Sequence, residues 1–425
     1  MHSKNTTKLA YEIDASRDSF EKVVEIMSME VSIPTSKRYN ATFDEKDLHR
    51  SLIHLAVSNG YAESGMESLV TKGETLFVTP EKIPSGSWMR DTVEKVPEEL
   101  MVESLKNALN STVQQLKEGF RIFSAPIIAG ADTHKIRRYN KNLDHGFLTR
   151  SKPERGTSTF EEYMTLQSVE EGRRVQIACE HVGIFDEKYM ALEKLIVESR
   201  LLGIDIAFQL VDRGFFNSKT MKMFEKIDQL YLMPAIKNPG IKRSIMEFIE
   251  GKRESISEYT MNEGKDDLSC TFTLVILPKA GKCEEDDPTS KYIAFATNIP
   301  RGHILSNISR LPKDYRLRWG LESGYIGVEH LRARTTSKNH TLRLLYFFYA
   351  LILYNAWLLA NLILAKKFNL APFPPKEPII HLQLMKDAFE RFVIESILME
   401  TYGTSQMRPC SRGAIEAESQ LATIP

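Results

Sequence analysis

Tyr315, Arg318, Glu322 and Glu329 stand at offsets 0, 3, 7 and 14 in the stretch DYRLRWGLESGYIGVE, Asp314 to Glu329. At about 100° per residue on a helix, these offsets fall within about 60° of one another. One helical face then carries a phenol, a guanidinium and two carboxylates. The guanidinium's fork of N–H donors suits a phosphate, and carboxylate oxygens suit a hard divalent ion such as Mg²⁺. A solvated amphipathic helix gives the same pattern, so these residues gain meaning only from others. Two further acids supply it. Asp132 closes the apolar run PIIAGAD, and Asp212 follows another within IDIAFQLVDRGFF, just before Arg213 and Gly214. Apolar runs that end in a polar residue and a glycine read as buried strands entering loops. Open sheets place their chemistry at such strand ends. Asp132, Asp212 and Glu322 therefore form a candidate set of three acids. Brought together without a cation they would repel one another and favour partial protonation.

The elements that must position this set alternate strand and helix signals between residues 125 and 235. Strands are predicted at Ile127 to Ala131, Tyr163 to Val169, Arg174 to Val182, Ile204 to Val211 and Leu230 to Ala235. Helices fit Glu187 to Leu202, with Asp186 as N-cap and Gly203 as stop, and Ser218 to Lys226. Between Asp212 and Glu322 lie 109 residues, in which turn-rich charged pieces separate the strand-like TFTLVILP and YIAFATN. Upstream, Asp18 to Met29, Asp44 to Asn59 and Glu98 to Phe120 show helical spacing. PEKIPSGSWMR, Pro80 to Arg90, reads as a turn-rich connection that offers Trp88 and Arg90.

LVDRGFF, followed about 100 residues later by Y-x-x-R-x-x-x-E, resembles the DDE transposases of bacterial and archaeal insertion sequences, in the group with a Tyr-Arg-Glu-Lys signature. The likeness runs from about Ile127 to Asn361 and takes in RGTSTFEEYMTL and YIAFATNIP. One departure is plain: Glu329 stands where the signature has its Lys, with Arg332, Arg334 or Lys338 as candidate replacements.

The resemblance implies an α/β fold: a ribonuclease-H-like mixed sheet with flanking helices, interrupted by a β-rich insertion, plus a helical N-terminal domain. The implied domains are 1–120 for DNA-end binding, 121–235 and 301–370 for the two parts of the catalytic core, and 236–300 for the insertion. Residues 371–425 are left as a C-terminal helix and flexible tail. In such a core Asp132 ends the first strand and Asp212 the fourth, on neighbouring strands. The implied activity is metal-dependent cleavage of insertion-element ends and joining of the 3′-hydroxyls to target DNA. Asp132, Asp212 and Glu322 would hold two Mg²⁺ ions, for which Mn²⁺ can substitute. Tyr315 and Arg318 would hold phosphates, and Trp319 would stack on an unpaired base or pack in the core. Arg213 would pair with an acid or a phosphate, and His134, two residues after Asp132, would lie near the ions. The implied partners are terminal inverted repeats, target DNA and a second copy of the chain, in the cytoplasm at the nucleoid. Two alternatives stay open: a structure-specific nuclease on the same scaffold, and a DNA-binding protein that has lost catalysis.

Composition sets the limits. With 425 residues the chain exceeds one compact core. Its formal net charge of zero argues against a generic polyanion binder. Charge is uneven, however: His134 to Arg155 holds seven Lys or Arg against two acids, and Arg301 to Arg343 nine against three. Residues 1–120 hold 14 basic and 19 acidic side chains, so a DNA grip there needs a local patch. Cys179, Cys270, Cys283 and Cys410 are widely spaced, which fits a reduced protein without structural zinc. Leu344 to Ala365, LLYFFYALILYNAWLLANLILA, is apolar enough for a membrane span. A buried helix directly after the catalytic one is the preferred reading.

Overall fold

The computed structural model describes residues 42–402 apart from 76, 77, 79, 140–145, 263–268 and 280–286. The helix expected at Asp18 to Met29 and the C-terminal tail lie outside the described residues. The chain divides into two compact units. One comprises residues up to 105 with 330–350 and those from 380 on; the other comprises 106–329 and 351–379.

The first unit is helical. It contains α1 (Glu45–Ser58), α2 (Ala62–Glu74), α3 (Gly86–Val93) and the start of α4 (Glu98–Phe120). It also contains the first part of α11 (His340–Lys367) and all of α12 (Leu382–Tyr402). Asp44 begins α1 with a capping box, its side chain accepting from the N–H groups of Lys46 and Asp47. The turn expected at Pro80 to Arg90 is in part helix, since Ser85 caps α3 through the Trp88 N–H at 3.1 Å. Neither side chain offered there is spare: Arg90 pairs with Glu63 at 2.6 Å, and Trp88 meets the Phe43 ring edge-on.

The second unit is built on a nine-stranded mixed sheet, and its strands follow in chain order. They are β1 (Ile127–Arg138), β2 (Leu148–Glu154), β3 (Thr157–Ser168), β4 (Gln176–Val182), β5 (Ile206–Leu210), β6 (Tyr231–Pro234), β7 (Ile256–Met261), β8 (Cys270–Pro278) and β9 (Tyr292–Thr297). Their spatial order is β2-β3-β1-β5-β6-β9-β8-β7, with β4 also pairing β3. Strand β3 is long enough that one of its edges serves two partners, β2 along residues 157–161 and β4 along 162–167. β1, β5 and β6 are mutually parallel, and the other pairings are antiparallel. This is the mixed sheet with flanking helices that the sequence predicts. Helix α5 (Lys188–Leu201) connects β4 to β5, and α6 (Ser218–Lys226) connects β5 to β6. Gly203 ends α5 with φ +67°, while the N-cap position is Glu187; Asp186 instead accepts the Gly183 N–H at 2.7 Å.

Residues 236–300, expected as a β-rich insertion, supply α7 (Pro239–Ile249) and strands β7 to β9. Those strands continue the same sheet beyond β6, through the β6–β9 ladder. After β9 come α8 (Arg301–Asn307), α9 (Leu311–Arg316) and α10 (Trp319–His330). Their apolar residues Ile304, Leu311 and Leu321 pack with Val169, Leu210, Leu232, Val275 and Phe295 of the sheet unit. Full burial of one such leucine contributes about 2 kcal/mol.

Helix α11 is long and apolar enough to cross a membrane, yet 83% of its most apolar stretch is buried inside the protein. Asn355 explains the interruption in its apolar run. Its amide accepts the Gln176 N–H at 2.9 Å and donates to the Gln176 carbonyl at 2.8 Å and to Thr112 Oγ1 at 3.1 Å. A buried amide with three partners belongs to a protein core, because lipid would leave it unsatisfied.

Candidate active site

The parallel ladder of β1 with β5 ends where Gly130 faces Leu210. Two residues further along each chain stand Asp132 and Asp212, so strand register alone brings these acids side by side. Asp132 is not at a strand end, as expected from its apolar run. β1 continues to Arg138 on its other edge, where Asp132 faces Thr165 of β3. Asp212 does lie just past its strand, and its Oδ1 accepts the Gly214 N–H at 2.8 Å at the start of a 3₁₀ turn.

Glu322 arrives from above on the first turn of α10. The stretch Asp314 to Glu329, expected as one helix, is two: α9 and α10 meet at a turn through Leu317 and Arg318. The break turns Tyr315 inward, edge-on to Phe295 with ring centroids 5.4 Å apart. It also aims Arg318 at the acids. Two glycines let α10 come close. A Cβ on Gly324 would lie 2.3 Å from Gln167 Oε1, and one on Gly320 would lie 3.0 Å from the Val169 carbonyl. From the sheet side, a Cβ on Gly130 would meet Leu321 at 2.9 Å.

Arg318 joins the set. Its Nη1 donates to Asp132 Oδ2 at 2.9 Å, and Nη2 lies 3.6 Å from Glu322 Oε1. Its charge also interacts with that of Asp212 and with the Tyr315 hydroxyl. One guanidinium, its side chain only 16% exposed, thus contacts Asp132 and Glu322 and lies within the field of the Asp212 charge. Burial, then the neighbouring Asp212 charge, pushes the Asp132 carboxyl above its ordinary range; the Thr133 N–H at 2.8 Å and Arg318 oppose this. Burial pushes the Tyr315 hydroxyl to about 12, so it remains a proton donor at neutral pH.

Among the described residues, no three His, Cys, Asp or Glu side chains are disposed to hold a metal ion as placed. The donor set nevertheless fits a hard cation. The three carboxylates outnumber the guanidinium, and burial, then the Asp212 charge, already holds Asp132 toward its protonated form. Arg318 itself lies between Asp132 and Glu322.

The remaining candidates divide. Trp319 lies at the start of α10 and is 63% exposed, so it is not a core tryptophan. Arg213 is exposed directly after Asp212. Arg332, Arg334 and Lys338 fall in the other compact unit. There the Arg332 carbonyl accepts from Asn59 at 3.1 Å and the Arg334 N–H donates to Gly60 at 2.9 Å. Several residues at the acids escaped the sequence reading. Tyr325, one helical turn past Glu322, donates its hydroxyl to the Asp132 carbonyl at 2.7 Å; its i, i+3 spacing was the available signal. Lys188, bound to Glu162 at 2.6 Å and 3.4 Å from Thr133 Oγ1, gave no signal at all. His134 pairs with Glu329 at 2.7 Å.

No protein-family model and no curated protein matches the sequence. Among solved structures, piggyBac transposase in a synaptic complex with hairpin DNA, determined by cryo-EM, is similar with a TM-score of 0.51 and 12% identity. The likeness covers 94% of this chain and 82% of that one. This chain has the fold of a transposase, spread over nearly its whole length, and at so low an identity the fold is what the two share.

Proposed function

We propose that the chain is a DDE transposase that cuts the ends of its own insertion element and joins the freed 3′-hydroxyls to target DNA. The observation that carries this reading is the guanidinium of Arg318, which bonds Asp132, reaches Glu322 and lies within the field of Asp212, three carboxylates remote from one another in sequence. Asp132, Asp212 and Glu322 would hold two Mg²⁺ ions, with Mn²⁺ as a substitute. Such ions, when bound, neutralise charge at the phosphate and activate the attacking water or 3′-hydroxyl.

The chain's own residues do the rest. With its carboxylate partners neutralised, Arg318 offers its N–H fork to a DNA phosphate. Tyr315, still protonated, donates a hydrogen bond beside it. Trp319 projects from the rim, where it can stack on an unpaired base, and Arg213 lies beside the Asp212 turn for a flanking phosphate. Terminal inverted repeats and target DNA are the partners, gripped by a homodimer because two ends must be synapsed. The setting is the cytoplasm, at the nucleoid. The Tyr-Arg-Glu order of Tyr315, Arg318 and Glu322 supports membership of the Tyr-Arg-Glu-Lys group, with Glu329 as its one departure. The piggyBac complex contains hairpin DNA, so hairpin formation is an excision route to assay first.

The test is nicking and strand transfer on a duplex carrying the inverted repeats that flank the gene. Wild-type chain should cut and join with Mg²⁺ and do neither in EDTA, and Asp212→Asn should abolish both while still binding the duplex. Cutting of branched DNA without joining would instead indicate a structure-specific nuclease. Duplex binding with no cutting in any divalent ion would indicate a protein that has lost catalysis.

A further inference from the structure

Glu329, which stands where the resembled signature has a Lys, has no task in the function proposed above. Its Oε1 lies 2.7 Å from Nε2 of His134. His134 sits two residues beyond Asp132 on β1, so both side chains leave the strand on one face. The His134 ring lies against that of Tyr325, with centroids 4.9 Å apart and planes tilted by 38°. The Tyr325 hydroxyl donates to the Asp132 carbonyl at 2.7 Å and lies 2.8 Å from the hydroxyl of Thr165. Thr165 is the residue opposite Asp132 in the β1–β3 ladder. Helix α10 is therefore tied to β1 at two points, one at Asp132 itself and one two residues along.

The spacing of these ties matters. Tyr325 is one turn from Glu322, about 4.5 Å along the helix axis, and Glu329 is two turns away, about 10.5 Å. A single tie would leave the helix free to roll about it, and two ties fix both its roll and its advance along the strand. Glu322 is carried by the same helix, so its reach toward Asp132 is set by them. We propose that Tyr325, His134 and Glu329 are positioning residues that latch α10 to β1 and hold Glu322 in register with Asp132. Glu329 thus serves the acid site by position and not by touching DNA. This inference rests on the acid site proposed above.

The test is Mn²⁺ binding to the full-length, metal-free chain without DNA, read from the electron paramagnetic resonance signal of the free ion. Tyr325→Phe removes one hydroxyl and should raise the Mn²⁺ midpoint about 10-fold, as loss of an outer partner of a metal ligand does, while the metal-free protein still unfolds in one cooperative transition at a somewhat lower Tm. Glu329→Lys should raise the midpoint as well, whereas Glu329→Gln, which keeps an acceptor oxygen for His134, should titrate as wild type. This rescue reads the latch even if Tyr325→Phe fails to fold. Wild-type midpoints for both Tyr325→Phe and Glu329→Lys would overturn the proposal. So would a Glu329→Lys protein that binds duplex DNA more tightly at an unchanged midpoint. If Asp212→Asn also titrates as wild type, the acid site itself is wrong and the latch falls with it.

Discussion

Two arginines in this chain each face more than one carboxylate, and they do opposite things to them. Arg50 of α1 grips Glu400 of α12 with both arms, at 2.5 and 2.6 Å, while Lys46 reaches the same carboxylate at 2.7 Å. Together they hold the Glu400 carboxyl down at about 2. Asp47, the looser partner at 3.4 Å, is raised by its burial. Two cations balance two acids. Arg318 meets Asp132 with one arm at 2.9 Å and Glu322 at 3.6 Å, and its buried Nε has no hydrogen-bond partner. Three acids outnumber it, and burial with the Asp212 charge pushes Asp132 up. The first cluster is finished as it stands and ties one helix to another. The second is short of positive charge, which the cations proposed for it would supply.

The sharpest way to break this contrast is to leave the charges alone and move the backbone. The Arg50 cluster depends on the reach of long side chains, whereas the Arg318 cluster depends on α10 lying close against β3. Gly324→Ala would set a methyl 2.3 Å from Gln167 Oε1. Gln167 cannot swing away cheaply, because it is fully buried, accepts from Gln176 at 2.9 Å and donates to the Gly320 carbonyl at 3.3 Å. The helix must shift instead. The expected result is about a 100-fold loss of strand transfer, the usual consequence of displacing a catalytic group by about 1 Å. The stability cost is about 1–3 kcal/mol. Full activity at the wild-type Tm would show that close approach is not what places Glu322.

A smaller effect separates the two arginines directly. If Arg318 holds the cation's place, Arg318→Gln should bind Mn²⁺ more tightly in the absence of DNA, by about 10-fold, since one charge-assisted hydrogen bond of about 1.5 kcal/mol no longer competes. Strand transfer should nevertheless fall, because the phosphate loses its fork. The same change removes a charge that lowers Asp132, so the acid limb of metal binding should move to higher pH. Weaker Mn²⁺ binding at neutral pH would make Arg318 a support of the acids and not a competitor. Arg50→Gln should leave Mn²⁺ binding as it was.

What the sequence revealed follows the same division. Asp132 and Asp212 were legible because parallel strands in a buried sheet are continuous apolar runs, and each acid interrupts one. Glu322 and Arg318 were legible from helical spacing, although the kink at Leu317 was not; it turns the Tyr315 ring against Phe295 and leaves its hydroxyl beside Arg318. Helix α6 was read to the residue from the sequence, and in the structure Asn217 caps it by accepting the Thr220 N–H at 2.9 Å. Strand β2 escaped because LTRSKPE is polar and pairs along only one edge. The merging of β7 to β9 with the central sheet was invisible for another reason. Which edge a strand joins is decided by the β6–β9 ladder, a pairing across some 60 residues that leaves no local trace. The pairing of Arg50 with Glu400 spans 350 residues and was equally silent.

The last prediction tests the finished cluster. Glu400 is half exposed, so its removal should cost only about 1 kcal/mol, near the top of the range for surface pairs because the contact is forked. The pH dependence gives this pair its signature. The folded-state value of about 2 lies below the ordinary glutamate value of 4.5. A lowered carboxyl contributes stability that is fully present above the ordinary value and is lost as pH falls toward the folded one. Wild type should therefore melt above Glu400→Gln at pH 7, with the gap narrowing below pH 4.5 and largely closed as pH approaches about 2. A gap of constant size across that window would mean that Glu400 acts by packing rather than by charge. The balanced cluster would then differ from the Arg318 site only in location, and the contrast between a charge pair that holds the fold and one that awaits a cation would fail.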